Sequence, residues 1–283
     1  MDKKFAPLFE KGKINGLELK NRFVMSPMGA VFTDTDGRMS ERSIAYFGER
    51  AKGGAGMILT EAMMAYRTSG FGVAAHFVGD NTCLPRLTEF TDLLHGYGAK
   101  ACAQIGAGLG RMEIITPQMP NPWAASAIPA YYNPKVLCHE MTVAEIQSWV
   151  NLIGITAKRM VVAGFDAIEI HAHAGYLIDQ FMSKNWNLRT DEYGGSLENR
   201  MRYATDIVKA IRQNTGPKFP IIFRTGADHK YPGGRTVDEA IEMAKILQAA
   251  GVDALDIDAG CYGPSFYWQI PPTYLGDACV IDL

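Results

Sequence analysis

Short apolar runs and longer amphipathic segments alternate along most of this chain. The short runs have the length and composition of strands that are buried on both faces of a parallel sheet. In the longer segments, apolar residues recur about every three to four positions, which is typical of helices that pack on a sheet. The pattern predicts six strands, at Arg22–Pro27, Gly56–Thr60, Lys100–Ile105, Phe165–Ala172, Pro220–Arg224 and Asp253–Asp258.

Capping signals locate the helices between these strands. Ser40 is a candidate N-cap, and Thr142 and Thr236 each begin a capping-box sequence, Thr142-Val143-Ala144-Glu145 and Thr236-Val237-Asp238-Glu239. The predicted helices cover residues 40–52, 84–97, 142–163, 197–213 and 236–250. Such repeated βα units predict an α/β protein with a parallel sheet, either doubly wound or closed as a barrel.

Two other segments add to this picture. Asn15-Gly16 predicts a tight hairpin ahead of the first strand. The segment Gly106–Met141 is rich in proline, glycine and methionine, and a connection of this length is usually functional. It begins with Gly106, Gly108 and Gly110, whose spacing does not match the dinucleotide-binding fingerprint.

Composition excludes several classes of partner. The chain has 283 residues, of which 47% are hydrophobic and 20% charged, and a formal net charge of −2. This balance gives no electrostatic reason to expect nucleic acid or a membrane surface as a partner. No run of about 18 apolar residues predicts a transmembrane helix. The five cysteines are scattered and form no CxxC pair, so we expect no disulfide framework, no metal site and a cytoplasmic location.

Polar side chains stand at the ends of several predicted strands. One of them alone could simply satisfy local backbone groups. In a barrel, however, the carboxyl ends of all strands form one face, and active sites are built there from several strands. The candidate residues are Gln104; His171, His173 and Tyr176; Arg224; and Asp256 and Asp258.

Two neighbouring tracts point to a known family. They are His171–Phe181, with the sequence HAHAGYLIDQF, and Asn187–Arg200, with the sequence NLRTDEYGGSLENR. Together with Asn21–Met28, Ile58–Ala62 and Gln104, they make the chain resemble the old yellow enzyme family over essentially its whole length. The resemblance is strongest to the branch of 2-enoate reductases, 2,4-dienoyl-CoA reductases and bile-acid-inducible steroid oxidoreductases. It implies a TIM (β/α)8 barrel, here with about six βα units and an N-terminal hairpin.

The resemblance implies a binding site for FMN, with NAD(P)H as the reductant. Backbone after the first strand would line the flavin, a small side chain would lie against its ring, and an amide would bond its pyrimidine edge. A guanidinium near N1 and O2 would stabilise the negative charge of the reduced flavin. In that order the residues are Pro27, Met28 and Gly29; Ala62; Gln104; and Arg224.

The resemblance also implies a reaction at the C=C bond of an α,β-unsaturated carbonyl compound. His171 would bond the carbonyl oxygen or the flavin, and Tyr176 would deliver a proton to the α-carbon. The family usually has a second donor, His or Asn, at the position of Ala174. This chain has His173 instead, and residues 171 and 173 share a face in extended backbone. His173 would therefore replace the missing donor if the strand continues that far.

Substrate class remains open between an enoate, an enoyl-CoA and a steroid ketone. Tyr267 and Trp268, in an aromatic segment after the last strand, are candidates for contact with a flat substrate. The family has two further βα units, whose loops hold the FMN phosphate. We therefore expect residues 1–283 to form one FMN-binding barrel domain that is truncated before these units and that retains FMN weakly on its own.

Other interpretations are compatible with the sequence. The chain could be a non-catalytic fragment or subunit that another chain completes. A flavin-free barrel lyase or aldolase would need a lysine or a metal cluster at the strand ends, and neither is found there. Longer family members have a four-cysteine motif for a 4Fe-4S cluster, whose ligands are not in this sequence. Self-association into a homo-oligomer stays open.

Overall fold

The computed structural model describes residues 3–66, 76–117 and 119–263. Tyr267 and Trp268 lie outside the described residues, so their contact with substrate stays a prediction. Within the described ranges, none of the helices has both the length and the apolar character needed to cross a membrane.

A hairpin precedes the main sheet, as the sequence predicts. Its strands, β1 (Gly12–Ile14) and β2 (Leu17–Leu19), pair antiparallel. Asn15, in the connecting turn, takes a left-handed backbone conformation with φ 52°, which asparagine tolerates better than most residues.

The main sheet of the described residues has eight strands, six of which are hydrogen-bonded in the order of the sequence. The strands after the hairpin are β3 (Val24–Met25), β4 (Met57–Leu59), β5 (Met63–Met64), β6 (His76–Phe77), β7 (Lys100–Gly106), β8 (Trp123–Ala124), β9 (His139–Glu140), β10 (Ala167–His171), β11 (Ile221–Asp228) and β12 (Ala254–Ala259). Hydrogen-bonded neighbours follow the order β3-β4-β7-β10-β11-β12, while β5 and β6 attach beside β7 and β8 pairs with β9. β3, β4 and β7 run parallel, with Met57 opposite both Val24 and Lys100.

Helices connect each consecutive pair of these six strands. They are α1 (Glu41–Lys52), α2 (Leu84–Gly96), α3 (Val143–Val162), α4 (Leu177–Met182), α5 (Leu197–Thr215) and α6 (Val237–Ala250). A parallel pair needs such a crossover, so the alternation of strands and helices in the sequence leads directly to this topology. The predicted βα repeat is confirmed.

The predicted helix starts differ in how they are capped. The Oγ of Ser40 accepts from Ser43 N at 3.1 Å. Thr142 and Glu145 form a complete capping box, in which each side chain accepts from the other residue's backbone N, at 3.2 and 2.7 Å. Thr236 accepts from Glu239 N, but the Glu239 carboxylate binds Arg200 at 2.5 Å instead of completing the box.

The chain divides into two compact units. Unit one contains the described residues of 1–106, 151–170 and 210–222, and unit two those of 107–150, 171–209 and 223–283. In unit one, the ring of Phe90 packs between those of Phe47 and Phe165, at centroid distances of 5.7 and 5.8 Å. In unit two, Phe181 of α4 packs on Tyr203 of α5 at 4.4 Å. Each unit therefore has aromatic packing of its own between its helices.

Candidate active site

The chain turns sharply after β10 and brings two histidines of unit two together. β10 ends at His171, and Ala174 and Gly175 take left-handed backbone conformations with φ of 63° and 85°. The ring centroids of His171 and His173 are 4.7 Å apart, and their Nε2 atoms are 3.0 Å apart. The strand stops at His171, so the two residues do not share a strand face as expected, and their side chains meet at the turn instead.

The neighbours of His173 determine where both imidazoles hold their protons. Nδ1 of His173 contacts Oδ2 of Asp258, and Nε of Arg224 lies 3.3 Å from Nε2 of His173. A guanidinium can only donate, so Nε2 of His173 accepts and its proton is on Nδ1, facing the carboxylate. His171 must then donate its own Nε2–H to His173. Nδ1 of His171 is left as a buried acceptor with no hydrogen-bond partner in the described part of the chain.

Arg224 of β11 lies against two carboxylates of β12. Its Nη1 is 2.5 Å from Oδ2 of Asp256, and its Nη2 is 3.2 Å from Oδ2 of Asp258. Both aspartates face Arg224 because they are two residues apart on one strand. Burial, together with His173 and Arg224, holds the pKa of His171 well below its ordinary value. His171 is therefore neutral beside this ion-pair network.

Tyr176 stands next to the two histidines with its hydroxyl protonated. Its ring lies 4.9 Å from that of His171 and 5.6 Å from that of Tyr262, between centroids. Burial, and a hydrogen bond with Tyr262, raise the pKa of Tyr176 far above its ordinary value. A phenol in this state can deliver a proton but does not lose it spontaneously to water.

A buried ion pair fixes the turn that presents Tyr176. Oδ2 of Asp179 accepts from Gly175 N at 2.8 Å, and Oδ1 is 2.5 Å from Nη2 of Arg235. His229 Nε2 lies 3.3 Å from the same carboxylate, and both partners are fully buried. Burial alone would raise the pKa of Asp179, but Arg235 and His229 outweigh it and keep the pKa well below its usual range. The carboxylate thus stays charged and holds the backbone beside Tyr176.

Gln104, the predicted flavin-binding amide, is held from two sides within unit one. Its backbone N donates to Oγ1 of Thr60 at 3.0 Å, and its Nε2 donates to Oε2 of Glu169 at 2.7 Å. Gln104 and Glu169 are both buried. Because the amide nitrogen is engaged by Glu169, the orientation of the amide is fixed, with its oxygen directed elsewhere.

The loop after β3, also in unit one, is held by a buried carboxylate on one side and is exposed on the other. The buried Glu61 carboxylate accepts from the backbone N of Ala30 and Val31, at 2.8 and 3.2 Å, and pairs with His76 at 2.9 Å. Met28 is 59% exposed, and a Cβ added at Gly29 would meet no atom within 4 Å. The loop therefore exposes backbone and apolar surface while the Glu61 carboxylate holds two of its backbone N–H groups.

Several residues of these networks were not predicted from the sequence. Glu169 had a usable signal, since it is the one carboxylate in the apolar strand Ala167–His171, where an unpaired charge would be costly. Asp179 lies inside the recognised tract but received no role. Arg235 and His229 had no local signal, because Arg235 meets Asp179 across 56 positions of sequence. Tyr262 was not distinguished from the other aromatics that follow the last strand.

Solved structures with this fold define the class of protein. The chain superposes on 2-naphthoyl-CoA reductase in complex with 2-naphthoyl-CoA with a TM-score of 0.84 and 30% identity, covering 96% of this chain and 43% of that one. It superposes on morphinone reductase in complex with tetrahydroNAD with a TM-score of 0.78 and 26% identity, covering 93% of this chain and 77% of the other. The fold is that of the old yellow enzyme TIM barrels, and the described strands are a part of such a barrel.

Curated relatives agree with this class. Cinnamate reductase of Clostridium sporogenes is 39% identical over 294 residues, which is 97% of this chain and 44% of the relative. NADH oxidase of Thermoanaerobacter brockii is 38% identical over 263 residues, or 91% of this chain and 40% of the relative. The chain thus spans less than half the length of these relatives. Residues 7–267 match the model of the NADH:flavin oxidoreductase / NADH oxidase family, and the chain belongs to that family.

Proposed function

We propose that the protein containing this chain binds FMN and reduces the C=C bond of an α,β-unsaturated carbonyl compound at the expense of NADH or NADPH. The observation that supports this most is the arrangement in unit two. A partly buried, protonated Tyr176 stands beside His171, His173 and Arg224 in a chain of the NADH:flavin oxidoreductase family.

Residues in each unit, considered separately, have the chemistry that a flavin requires. An isoalloxazine ring offers two flat apolar faces and a pyrimidine edge with donors and acceptors. The open loop of Pro27, Met28 and Gly29, with the small Ala62, suits a flat face. The fixed amide of Gln104 suits the edge, and Arg224 supplies positive charge for the reduced state. When bound, FMN supplies the hydride for the β-carbon of the substrate.

His171 and His173 would polarise the substrate carbonyl. In the neutral arrangement both of their N–H groups are already engaged, with His173 and Asp258 respectively. Donation to a carbonyl oxygen therefore requires that the contact between the two rings opens. Opening frees the Nε2–H of His171, while Asp258 keeps His173 oriented.

Tyr176 would complete the reduction by protonating the α-carbon. Its raised pKa keeps the proton available at neutral pH, and Tyr262 holds the hydroxyl in place. Asp179 supports this role indirectly, because it fixes the backbone N of Gly175. These residues hold and move the proton at one atom, the Tyr176 hydroxyl oxygen.

The comparisons support the substrate class without deciding it. One relative is described as a cinnamate reductase, and one similar structure contains 2-naphthoyl-CoA. Both names describe conjugated carbonyl compounds attached to flat aromatic groups. No feature of the described residues favours a non-catalytic subunit over an enzyme. A 4Fe-4S cluster would require ligands from outside this sequence.

Flavin content and reduction test the proposal. We expect the protein containing this chain to release FMN on denaturation and to lose its yellow colour when NADH or NADPH is added without oxygen. Re-oxidation by an unsaturated carbonyl compound, and not by its saturated analogue, is the expected second step. A protein that stays colourless after incubation with FMN would contradict the proposal.

A further inference from the structure

Unit two contains a guanidinium that lacks a carboxylate partner among the described residues. Arg111 lies in a short 3-10 helix, Gly110–Met112. Its Nε is buried and has no hydrogen-bond partner there, and none of the ion pairs of the described residues includes it. The side chain as a whole is partly buried, and a partly desolvated cation without a counter-ion costs free energy, so its position needs a reason.

The surroundings of Arg111 are aromatic and uncharged. Its guanidinium carbon lies 5.3 Å from the ring centroid of Trp186 and 5.4 Å from that of Tyr131. The ionisable groups that face it are the thiols of Cys261 and Cys138 and the phenols of Tyr231 and Tyr131. Burial raises the pKa of the Cys138 thiol to about 11, so this thiol provides no negative charge. Burial likewise lowers the pKa of Arg111, although an arginine stays charged.

Two sets of contacts connect Arg111 to Tyr176. The Tyr131 ring beside Arg111 is 6.3 Å from the Tyr262 ring, which in turn packs on Tyr176 at 5.6 Å. The backbone N of Arg111 also donates to Oε1 of Gln180 at 3.2 Å, and Gln180 lies in α4, whose N-cap is Tyr176. Arg111 is thus connected to the proposed proton donor by contacts within unit two.

We propose that Arg111 binds a carboxylate of the substrate and so selects unsaturated acids over the corresponding neutral esters and ketones. This inference rests on the proposed function. A guanidinium can donate two parallel hydrogen bonds to the two oxygens of a carboxylate. An ester has no negative charge, so it binds a guanidinium more weakly. The rings of Trp186 and Tyr131 flank Arg111 in a partly buried position, where such a pair is stronger than in bulk water.

The test compares one acid with its ester in matched variants. The probes are 3-phenylpropenoate and its methyl ester, assayed with wild type, Arg111→Gln, Arg111→Lys and the control Arg50→Gln. Arg50 is exposed and also stacks on an aromatic ring, that of Tyr46 at 3.6 Å, but lies in unit one. We expect Arg111→Gln to raise KM for the acid by about 10- to 100-fold. The kcat for the acid, and both kcat and KM for the ester, should stay almost unchanged. Arg111→Lys should lie between, since it keeps the charge and loses the paired geometry.

Two outcomes would overturn the inference. One is an equal change for acid and ester in Arg111→Gln and Arg111→Lys, which would indicate a structural role. The other is the same acid-specific change in Arg50→Gln. If Arg111→Gln fails to fold, the ratio of KM for the acid to KM for the ester in Arg111→Lys tests the inference instead. If wild type reduces neither probe, the proposed function fails, and calorimetric binding then tests Arg111 separately. Tighter binding of the acid than the ester, lost in the variants, supports the site, and equal binding overturns it.

Discussion

Replacing Asp179 with asparagine tests whether the buried ion pair fixes the Tyr176 turn. The substitution keeps the shape of the side chain and removes its charge. Arg235 and His229 then remain buried without a counter-ion, since the side chains of Asp179 and Arg235 are 0% and 1% exposed. Gly175 N also loses a charged acceptor at 2.8 Å.

The size of the effect follows from this burial. Removing one partner of a buried pair typically costs about 3 to 5 kcal/mol, whereas loss of an exposed pair is usually small. We therefore expect Asp179→Asn to lower the free energy of unfolding by about 3 kcal/mol or more. Glu242→Gln is the matched control, because Glu242 pairs with Lys245 at 2.7 Å on an exposed surface. It should leave stability unchanged.

The same ion pair predicts a pH dependence. The pKa of Asp179 is lower in the folded than in the unfolded protein. The contribution of Asp179 to folding stability is therefore complete above the pKa that an aspartate has in the unfolded protein, about 3.9. This contribution is lost as pH falls toward the lower pKa of Asp179 in the folded protein. The stability difference between wild type and Asp179→Asn should be constant from pH 5 to pH 8, as far as this group determines it, and should shrink in acid.

Urea unfolding followed by fluorescence measures these differences. A loss below about 1 kcal/mol in Asp179→Asn, or a loss equal to that of Glu242→Gln, would refute the reasoning.

A double variant, Asp179→Leu with Arg235→Met, adds a check. Its cost should be smaller than the sum of the two single variants, because an apolar pair can replace a buried ion pair. Strict additivity would show that the two side chains do not act together.

Two further predictions concern residues that orient the proposed site. Asp258→Asn should release the Nδ1 proton of His173, which imidazole 15N shifts report, and should slow substrate reduction by about 10- to 100-fold; unchanged shifts would contradict the tautomer assignment. Glu169→Leu removes the acceptor of the Gln104 amide and should weaken FMN affinity by about 3- to 10-fold, measured by flavin fluorescence. Glu169→Gln should change it much less, and equal effects of the two substitutions would argue against an orienting hydrogen bond.

Local sequence signals predict most of the fold. Ser40 and the Thr142–Glu145 box cap their helices as expected, because a cap involves residues only three apart. The repeated strand and helix pattern likewise leads to the observed strand order. The helix Leu177–Met182 was missed, since six residues are too few to display a helical period. β11 extends to Asp228, four residues beyond the predicted end, because pairing with β12 sustains strand structure in the polar Thr225–Asp228 segment.

The candidate site is only partly readable from the sequence. His171, Tyr176, Arg224 and Asp258 stand at strand ends, where barrel chemistry is expected, and the structure brings them together in unit two. Which imidazole nitrogen holds each proton depends on Arg224, 51 residues from His173. Such long-range contacts leave no periodic or local trace. The flavin contacts of Gln104 and of Pro27, Met28 and Gly29 stay predictions.

The re-oxidation half-reaction tests the central claim most directly. Protein that NADH has reduced without oxygen is mixed with an unsaturated carbonyl compound, and the return of flavin colour is timed for wild type and Tyr176→Phe. We expect the variant to be slower by about 100- to 10,000-fold, as for loss of a general acid, while reduction by NADH stays the same. Equal rates of colour return in the two proteins would contradict the assignment of Tyr176 as the proton donor.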